Sequence, residues 1–139
     1  MDGFSITTDK SKLQLDVIHG FLTSSYWSKG ISMERVKRSV DNSLCFGVFH
    51  NTAQVGFARV ITDYTRFAYL ADVFILENYR GKGLSKLMMQ HILEHPDLQD
   101  VSKWMLATLD AHGLYEQFGF APLKEPGRFM EKFAELKKN

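Results

Sequence analysis

The sequence predicts a mixed α/β fold in which helices cover both faces of one central sheet. Patterns with helical spacing come early, three β-rich runs follow one another in the middle, and strands alternate with helices towards the end. Consecutive strands favour antiparallel pairing, whereas a strand, a helix and a second strand in succession favour parallel pairing. This order of elements predicts a mixed, largely antiparallel sheet.

The first part of the chain predicts a short strand and two helices. Residues 4–8 fit a strand, and Ser11 with Gln14 fits a capping box at the start of the first helix. The segment SSYWSKG, residues 24–30, interrupts the helical pattern, and Ser32 fits the N-cap of a second helix. The expected apolar faces carry Leu13, Val17, Ile18, Phe21 and Leu22 on the first helix and Met33, Val36 and Val40 on the second.

Three runs rich in β-branched and aromatic residues, 44–49, 55–61 and 67–76, predict consecutive strands. The third reads FAYLADVFIL and is nearly all apolar, as expected for a strand that is covered on both faces. A helix follows Gly83 and should end at Pro96. The remaining predicted elements are a strand at 103–109, a short helix within 111–120 that closes at Gly119, and a final strand at 128–133.

Composition restricts the classes of function. The chain has 139 residues, 45% of them hydrophobic and 24% charged, which favours a single domain over residues 1–139. A net charge of +1 provides no general positive field, so we expect no nucleic-acid partner. The single Cys45 excludes an internal disulfide, and neither a signal peptide nor an apolar run of about 20 residues is found. These features predict a cytoplasmic protein with no membrane partner.

The sequence RGKG, residues 80–83, lies between a predicted buried strand and a helix, where it either turns the chain or binds an anion. The N–H groups of a first helical turn point outward, and the helix dipole adds partial positive charge there. The two glycines would let a ligand approach the backbone. A Walker A loop is excluded because Leu84 follows Gly83, and a GxGxxG fingerprint is excluded because its last position is Lys86. These residues alone support both interpretations equally.

Two sequence blocks resemble a known family. NYRGKGL after YLADVFIL resembles the acyl-CoA signature of the GNAT N-acetyltransferases, [Q/R]-x-x-G-x-[G/A], between the fourth strand and the third helix, and LYEQFGF (114–120) is similar to that family's LYEKLGF. The resemblance covers essentially the whole chain and implies the GNAT fold, with a sheet splayed between strands 4 and 5. Asn78, Ser85 and Thr108 depart from the family's usual residues, so the backbone is expected to supply most of the phosphate contacts.

The resemblance also implies acetyl-CoA as cosubstrate. The pyrophosphate would lie across backbone N–H groups of the loop and of the helix start, and the pantetheine arm would pair with the preceding strand like an added strand. The implied contacts are Val73, Phe74 and Ile75 for the arm, and Arg80, Gly81, Lys82, Gly83, Leu84 and Ser85 for the pyrophosphate.

The chemistry that the resemblance implies is direct attack of a neutral amine on a thioester. Tyr115 matches the tyrosine that protonates the leaving thiolate in many members, although its helix alone favours a core aromatic residue. A backbone N–H near Val73 would stabilise the charge that develops on the carbonyl oxygen. Asp72, Asp110 and His112 are alternative general bases, acting directly or through water.

The acceptor would lie beyond the thioester, next to the first helical pair. Tyr26 and Trp27 are large rings in a predicted loop, where they either contact the acceptor or form a lid, or, for Trp27, plug the end of the sheet. Arg59, Arg66 and Arg128 would recognise an acceptor carboxylate or are ordinary surface residues. Dimers are common in the family, and the sequence leaves a homodimer open.

The segment HILEH, residues 91–95, fits the zinc-binding pattern H-x-x-E-H. The same helical face carries Leu84, Leu87 and Met88, so it should pack on the sheet, and few residues remain to supply a third ligand. We therefore interpret both histidines as buried or partly satisfied structural residues and expect no metal.

The expected function is acetyl transfer from acetyl-CoA to a primary amine in a ternary complex, with a small-molecule acceptor. Two alternatives stay open: an N-acetyltransferase acting on a protein or peptide, and a CoA-binding regulatory module that has lost catalysis.

Overall fold

A five-stranded sheet organises the computed structural model, which describes residues 2–136. The described residues form two compact units, 2–107 and 108–136, and the sheet lies in the first. Its strands lie in the order β1-β2-β3-β4-β5, with antiparallel pairing up to β4 and parallel pairing between β4 and β5. The predicted mixed, largely antiparallel sheet is confirmed. The strands are β1 Phe4–Thr7, β2 Leu44–His50, β3 Ala53–Thr62, β4 Ala68–Ile75 and β5 Trp104–Leu106.

Helices cover both faces of this sheet, as predicted. Helices α1 (Leu15–Thr23) and α2 (Met33–Asp41) pack on one face, and α3 (Leu84–Glu94) packs on the other. On β2 the ring of Phe46 contacts His95 at the end of α3, with centroids 5.6 Å apart. The core under α1 and α2 consists of Ile18, Leu22, Val36, Val40, Cys45, Phe57 and Phe74, and α3 buries Leu84, Met88, Met89 and Ile92.

The predicted capping box at the start of α1 is wrong. Asp9 caps a separate 3₁₀ turn, Lys10–Lys12, and accepts a hydrogen bond from the N–H of Ser11 at 3.0 Å. Gln14 precedes α1 without capping it through its side chain. Its N–H instead donates to Oε1 of the buried Gln54 at 2.7 Å, which attaches the start of α1 to β3.

The predicted start of α2 is confirmed, because Oγ of Ser32 accepts a hydrogen bond from the N–H of Arg35 at 3.2 Å. Val36 and Val40 are buried as expected, whereas Met33 is 40% exposed and does not join the core. Helix α3 ends before Pro96, also as predicted.

Strand β5 is shorter than the predicted 103–109, and this leaves part of β4 free. It pairs only with residues 68–70 of β4, so residues 71–75 have no β5 partner in the described part of the chain. On its other side β4 pairs with β3, and the register shifts between Phe57 and Arg59. Asp72 lies opposite this irregularity with a φ of 54°, a left-handed conformation that few non-glycine residues adopt.

The second unit contains one short helix, α4 (His112–Glu116), and a chain reversal at Gly119, whose φ is 92°. The predicted final strand at 128–133 is wrong. Pro126–Arg128 forms a 3₁₀ turn, with Arg128 paired to Glu125, and the residues after it up to 136 form no regular element. A strand needs a neighbour for its backbone hydrogen bonds, and residues 108–136 contain no other strand.

Burial of Cys45 should make stability depend on pH in alkaline solution. The side chain is 0% exposed, and the loss of hydration raises the pKa of Cys45 from 9.0 to about 11. The folded state therefore keeps this proton after the unfolded chain has lost it, so stability falls as the pH rises from about 9 to about 11. We expect the free energy of unfolding in urea to fall less over this range in Cys45→Ala than in the native protein. Parallel losses in the two proteins would contradict this assignment.

No helix in the described residues is both long enough and apolar enough to cross a membrane.

Candidate active site

The loop before α3 has the geometry of an anion site. Gly81 and Gly83 have φ values of 79° and 80°, and Gly83 is the N-cap of this 11-residue helix. No side chain in the described part of the molecule caps the helix start, so the first N–H groups have neither an intrahelical partner nor a capping group there. A Cβ added at Gly81 would meet no other atom within 4 Å. The loop therefore presents bare backbone donors at the positive end of a helix dipole.

The two basic residues of the loop behave differently. Nε of Arg80 donates to the carbonyl oxygen of Ile75 at 2.8 Å, which ties the loop to the end of β4. Lys82 is exposed and forms no ion pair with any described residue. Arg80 thus fixes the loop, and Lys82 offers an ammonium group to solvent.

The free edge of β4 leads into this loop. It includes Val73, Phe74 and Ile75, the segment implied to pair with the pantetheine arm. The ring of Phe74 is buried and stacks on Phe21, with centroids 4.1 Å apart and planes 8° apart. Phe74 can therefore offer only its backbone to a ligand, and the backbone of this segment has no β5 partner in the described chain.

Asp72 is held from two sides. Its Oδ2 accepts from Nε of Arg59 at 2.8 Å, and its Oδ1 accepts from the indole N–H of Trp27 at 2.9 Å. A second guanidinium nitrogen of Arg59 donates to Oγ of Ser43 at 3.2 Å. The side chains of Arg59 and Asp72 are 17% and 8% exposed, so water screens the pair only weakly. The left-handed backbone of Asp72 allows its carboxylate to reach both donors.

The loop that carries Tyr26 and Trp27 is fixed by hydrogen bonds at both ends. Oγ of the buried Ser25 donates to Leu22 at 2.7 Å and accepts from the N–H of Ser28 at 3.1 Å. Beyond the two rings, Nε2 of His19 donates to the carbonyl of Ile31 at 3.0 Å. Trp27 therefore has a defined position beside β4, although it is 41% exposed.

A cleft of about 650 Å³ opens between α1, this loop and the end of β4. Tyr26 and Trp27 form part of its wall. The other lining residues are Asp16, Val17, Gly20, Phe21, Ser24, Ser25 and Leu76.

The predicted catalytic residues of the second unit lie on or beside α4. Tyr115 is buried, 7% exposed, and its ring contacts Phe120 at 6.0 Å in an edge-to-face arrangement. Thr108 caps the preceding turn by accepting the N–H of Ala111 at 3.0 Å, while Asp110 and His112 are exposed. Arg128, predicted to bind substrate, pairs with Glu125 in its own turn.

The histidines of HILEH take separate roles. Nδ1 of His95 accepts the N–H of Asp97 at 3.1 Å, so this histidine is partly satisfied as expected, whereas His91 is exposed and not buried. Among the described residues, no three His, Cys, Asp or Glu side chains are placed to hold a metal ion.

Comparison with known proteins identifies similar chains. The family model described as acetyltransferase (GNAT) family matches residues 15–120. A crystal structure of a protein assigned to the GNAT acetyltransferases, from Xanthomonas campestris pv. campestris, is 47% identical, with a TM-score of 0.93 over 96% of this chain and 95% of that one. A Gibberella zeae protein assigned as an acetyltransferase is 29% identical over 136 residues, covering 81% of this chain and 75% of its own length.

A more distant structure shares the fold. It is a GNAT family acetyltransferase from Elizabethkingia anophelis with acetyl-CoA bound, 12% identical, with a TM-score of 0.68 over 97% of this chain and 90% of that one.

Proposed function

Because this chain belongs to the acetyltransferase (GNAT) family, we propose that it transfers the acetyl group of acetyl-CoA to a primary amine by direct attack in a ternary complex. One observation carries the proposal: the uncapped start of α3, with its two left-handed glycines, follows directly on the free edge of β4. A diphosphate suits the first feature and an extended amide-containing arm suits the second. Together they suit two adjacent parts of one long cosubstrate.

In this proposal the loop and the strand bind different parts of acetyl-CoA. Backbone N–H groups from Gly81 to Ser85 would hold the diphosphate, with the exposed Lys82 adding charge. The N–H of Arg80, also expected to contribute, already donates to the carbonyl oxygen of Glu77 at 3.2 Å. The backbone from Val73 to Ile75 would pair with the arm and leave a backbone N–H near Val73 for the thioester oxygen. Bound acetyl-CoA would supply an acyl group activated as a thioester. No metal has a role in this proposal.

The amine must lose a proton before it attacks, and three side chains are candidates to receive it. Both carboxylate oxygens of Asp72 already accept hydrogen bonds from fixed donors, which favours a positioning role for this residue. Asp110 and His112 are exposed, and the imidazole has the more suitable intrinsic pKa. We therefore propose His112, directly or through water, as the base to test first.

The proposal also covers the size of the acceptor, the cellular location of the protein and its partners. A cleft of about 650 Å³ is suited to a small amine, whereas a protein or peptide acceptor would call for a long open groove. Cys45, a free buried thiol, is compatible with the reducing cytoplasm in which we place the protein. We propose no nucleic-acid or membrane partner, and a homodimer is left to measurement.

The first experiment titrates the protein with acetyl-CoA by calorimetry and then screens amines for release of free thiol. Saturable binding with amine-dependent thiol release supports the enzyme. Binding without thiol release from any small amine or peptide supports the regulatory module, and absence of binding removes both proposals.

Tyr115→Phe should separate catalysis from binding. Removal of the hydroxyl leaves the buried ring in place but takes away the proposed proton donor to the thiolate. We expect kcat to fall by about 100-fold with an unchanged Kd for acetyl-CoA, since general acids typically contribute about 100- to 10,000-fold. Tyr64→Phe, at an exposed tyrosine of the β3–β4 connection, is the matched control and should retain full activity. Equal kcat values for the two variants would exclude Tyr115 as the acid.

A further inference from the structure

The polar groups of the cleft are few, and most already have partners. Oγ of Ser24 donates to the carbonyl of Gly20 at 3.3 Å, and Oγ of Ser25 is used at both of its hydrogen-bonding positions. The indole N–H of Trp27 donates to Asp72. The groups left for a ligand are the carboxylate of Asp16 and the hydroxyl of Tyr26.

Among the described residues that line the cleft, Asp16 is the only charged one. It lies in the first turn of α1, is exposed, and forms no ion pair or hydrogen bond with any residue that the structure describes. An acidic side chain at this position also interacts favourably with the helix dipole, so its location alone identifies no ligand. The rings that share the cleft with it provide the independent observation.

Those rings form a continuous series from the core to the surface. Phe21 stacks on Phe74, lies 6.1 Å from Trp27 and lines the cleft, and Trp27 meets Tyr26 edge to face at 5.1 Å. Tyr26 is 67% exposed and Trp27 41%, so both rings can be reached by a ligand from solvent. Aromatic faces of this kind attract ammonium groups through their quadrupole.

None of the described residues that line the cleft is a cation that would hold a carboxylate. Arg59, one of the arginines expected to recognise an acceptor carboxylate, is committed to Asp72 and Ser43 and does not line the cleft. An acceptor with a negative tail would therefore face an unpaired carboxylate and no counter-charge.

We propose that the acceptor is a diamine or polyamine: one amine is acetylated, and a second, charged ammonium group is held by the carboxylate of Asp16 and the faces of Tyr26 and Trp27. This inference rests on the proposed acetyltransferase function and specifies its substrate class. The apolar stretch between the two amines would lie along Val17, Phe21 and Leu76.

The test compares three acceptors of equal length: 1,4-diaminobutane, n-butylamine and 4-aminobutanoate. We expect kcat/KM for the diamine to exceed that of the monoamine by about 10-fold, the combined effect of one cation–π contact and one exposed ion pair. The amino acid should be the poorest of the three. A monoamine that matches or exceeds the diamine would overturn the inference and leave the enzyme assignment intact.

Asp16→Asn should reduce the ratio of diamine to monoamine activity towards one. Glu34→Gln is the matched control, because Glu34 is the acidic residue in the first turn of α2 and does not line the cleft. It should preserve the ratio. An unchanged ratio in Asp16→Asn would also overturn the inference.

Calorimetric titration with the same three compounds distinguishes failure of the two proposals. If no amine releases thiol but the native protein still binds 1,4-diaminobutane about 10-fold more tightly than n-butylamine, and Asp16→Asn loses that preference, the ammonium site stands without the transferase. If amines release thiol but neither assay shows a preference for the diamine, the acetyltransferase stands and the ammonium site is excluded.

Discussion

Replacement of Gly83 by glutamate is expected to abolish acetyl-CoA binding. The residue caps α3 with a φ of 80°, a conformation that costs an L-residue about 1 kcal/mol or more. The new carboxylate would also lie at the helix start, where it would repel a diphosphate and compete for the same N–H groups. A loss of about 3 kcal/mol of binding free energy from this repulsion and competition corresponds to a Kd more than about 100-fold higher, which calorimetry would detect as absence of binding.

The control for Gly83→Glu must reproduce its strain and its charge outside the loop. Gly30→Glu does so, because Gly30 has a φ of 77° and open space around an added Cβ. This variant should lose a similar amount of stability and retain acetyl-CoA binding. If both variants bind acetyl-CoA as the native protein does, the anion site lies elsewhere in the molecule.

Elements defined by local patterns could be predicted from the sequence. The buried strand before the glycine loop, the helix after it and the N-cap Ser32 depend on neighbouring residues, and the structure has all three. The start of α1 could not be predicted from the local capping pattern. The N–H of Gln14 donates to the side chain of Gln54, 40 residues away, and this contact replaces the predicted cap. The prediction of a final strand was wrong for a related reason: an alternation of apolar residues cannot reveal whether another strand is available to pair with it.

The same distinction between local patterns and long-range contacts applies to the candidate site. The glycine loop could be identified because its glycines and basic residues are contiguous. In the Trp27–Asp72–Arg59 network, Asp72 is 45 positions from Trp27 and 13 positions from Arg59. The network also includes a left-handed backbone conformation at Asp72, which no sequence motif indicates. Asp16 could not be identified from the sequence either, because only the structure shows that its carboxylate lines the cleft without a partner among the described residues.

Replacement of Asp72 by alanine is expected to destabilise the protein by about 3 kcal/mol, the lower end of the range for breaking a buried ion pair. The substitution leaves the guanidinium of Arg59 without its acceptor at a poorly hydrated position, and it also removes the acceptor of the indole N–H of the partly exposed Trp27. Urea unfolding at neutral pH measures the effect. Asp41→Ala is the control, because its pair with Lys37 is more than half exposed on both sides and should contribute less than about 0.5 kcal/mol. Similar losses in the two variants would show that the Asp72 pair is no stronger than a surface pair.

Two further substitutions separate the contribution of the pair from that of the backbone. Asp72→Asn tolerates the left-handed φ of 54°, but its amide oxygen can accept from only one of the two donors, so an intermediate loss is expected. Asp72→Gly loses both hydrogen bonds and relieves the strain, so it should be about 1 kcal/mol more stable than Asp72→Ala and still well below the native protein. Since Asp72 also fixes Trp27 in the wall of the cleft, the order native, Asn, Gly, Ala in stability should be accompanied by a weaker diamine preference in all three variants. A glycine variant as stable as the native protein would instead mean that the strain at this position fully offsets the ion pair.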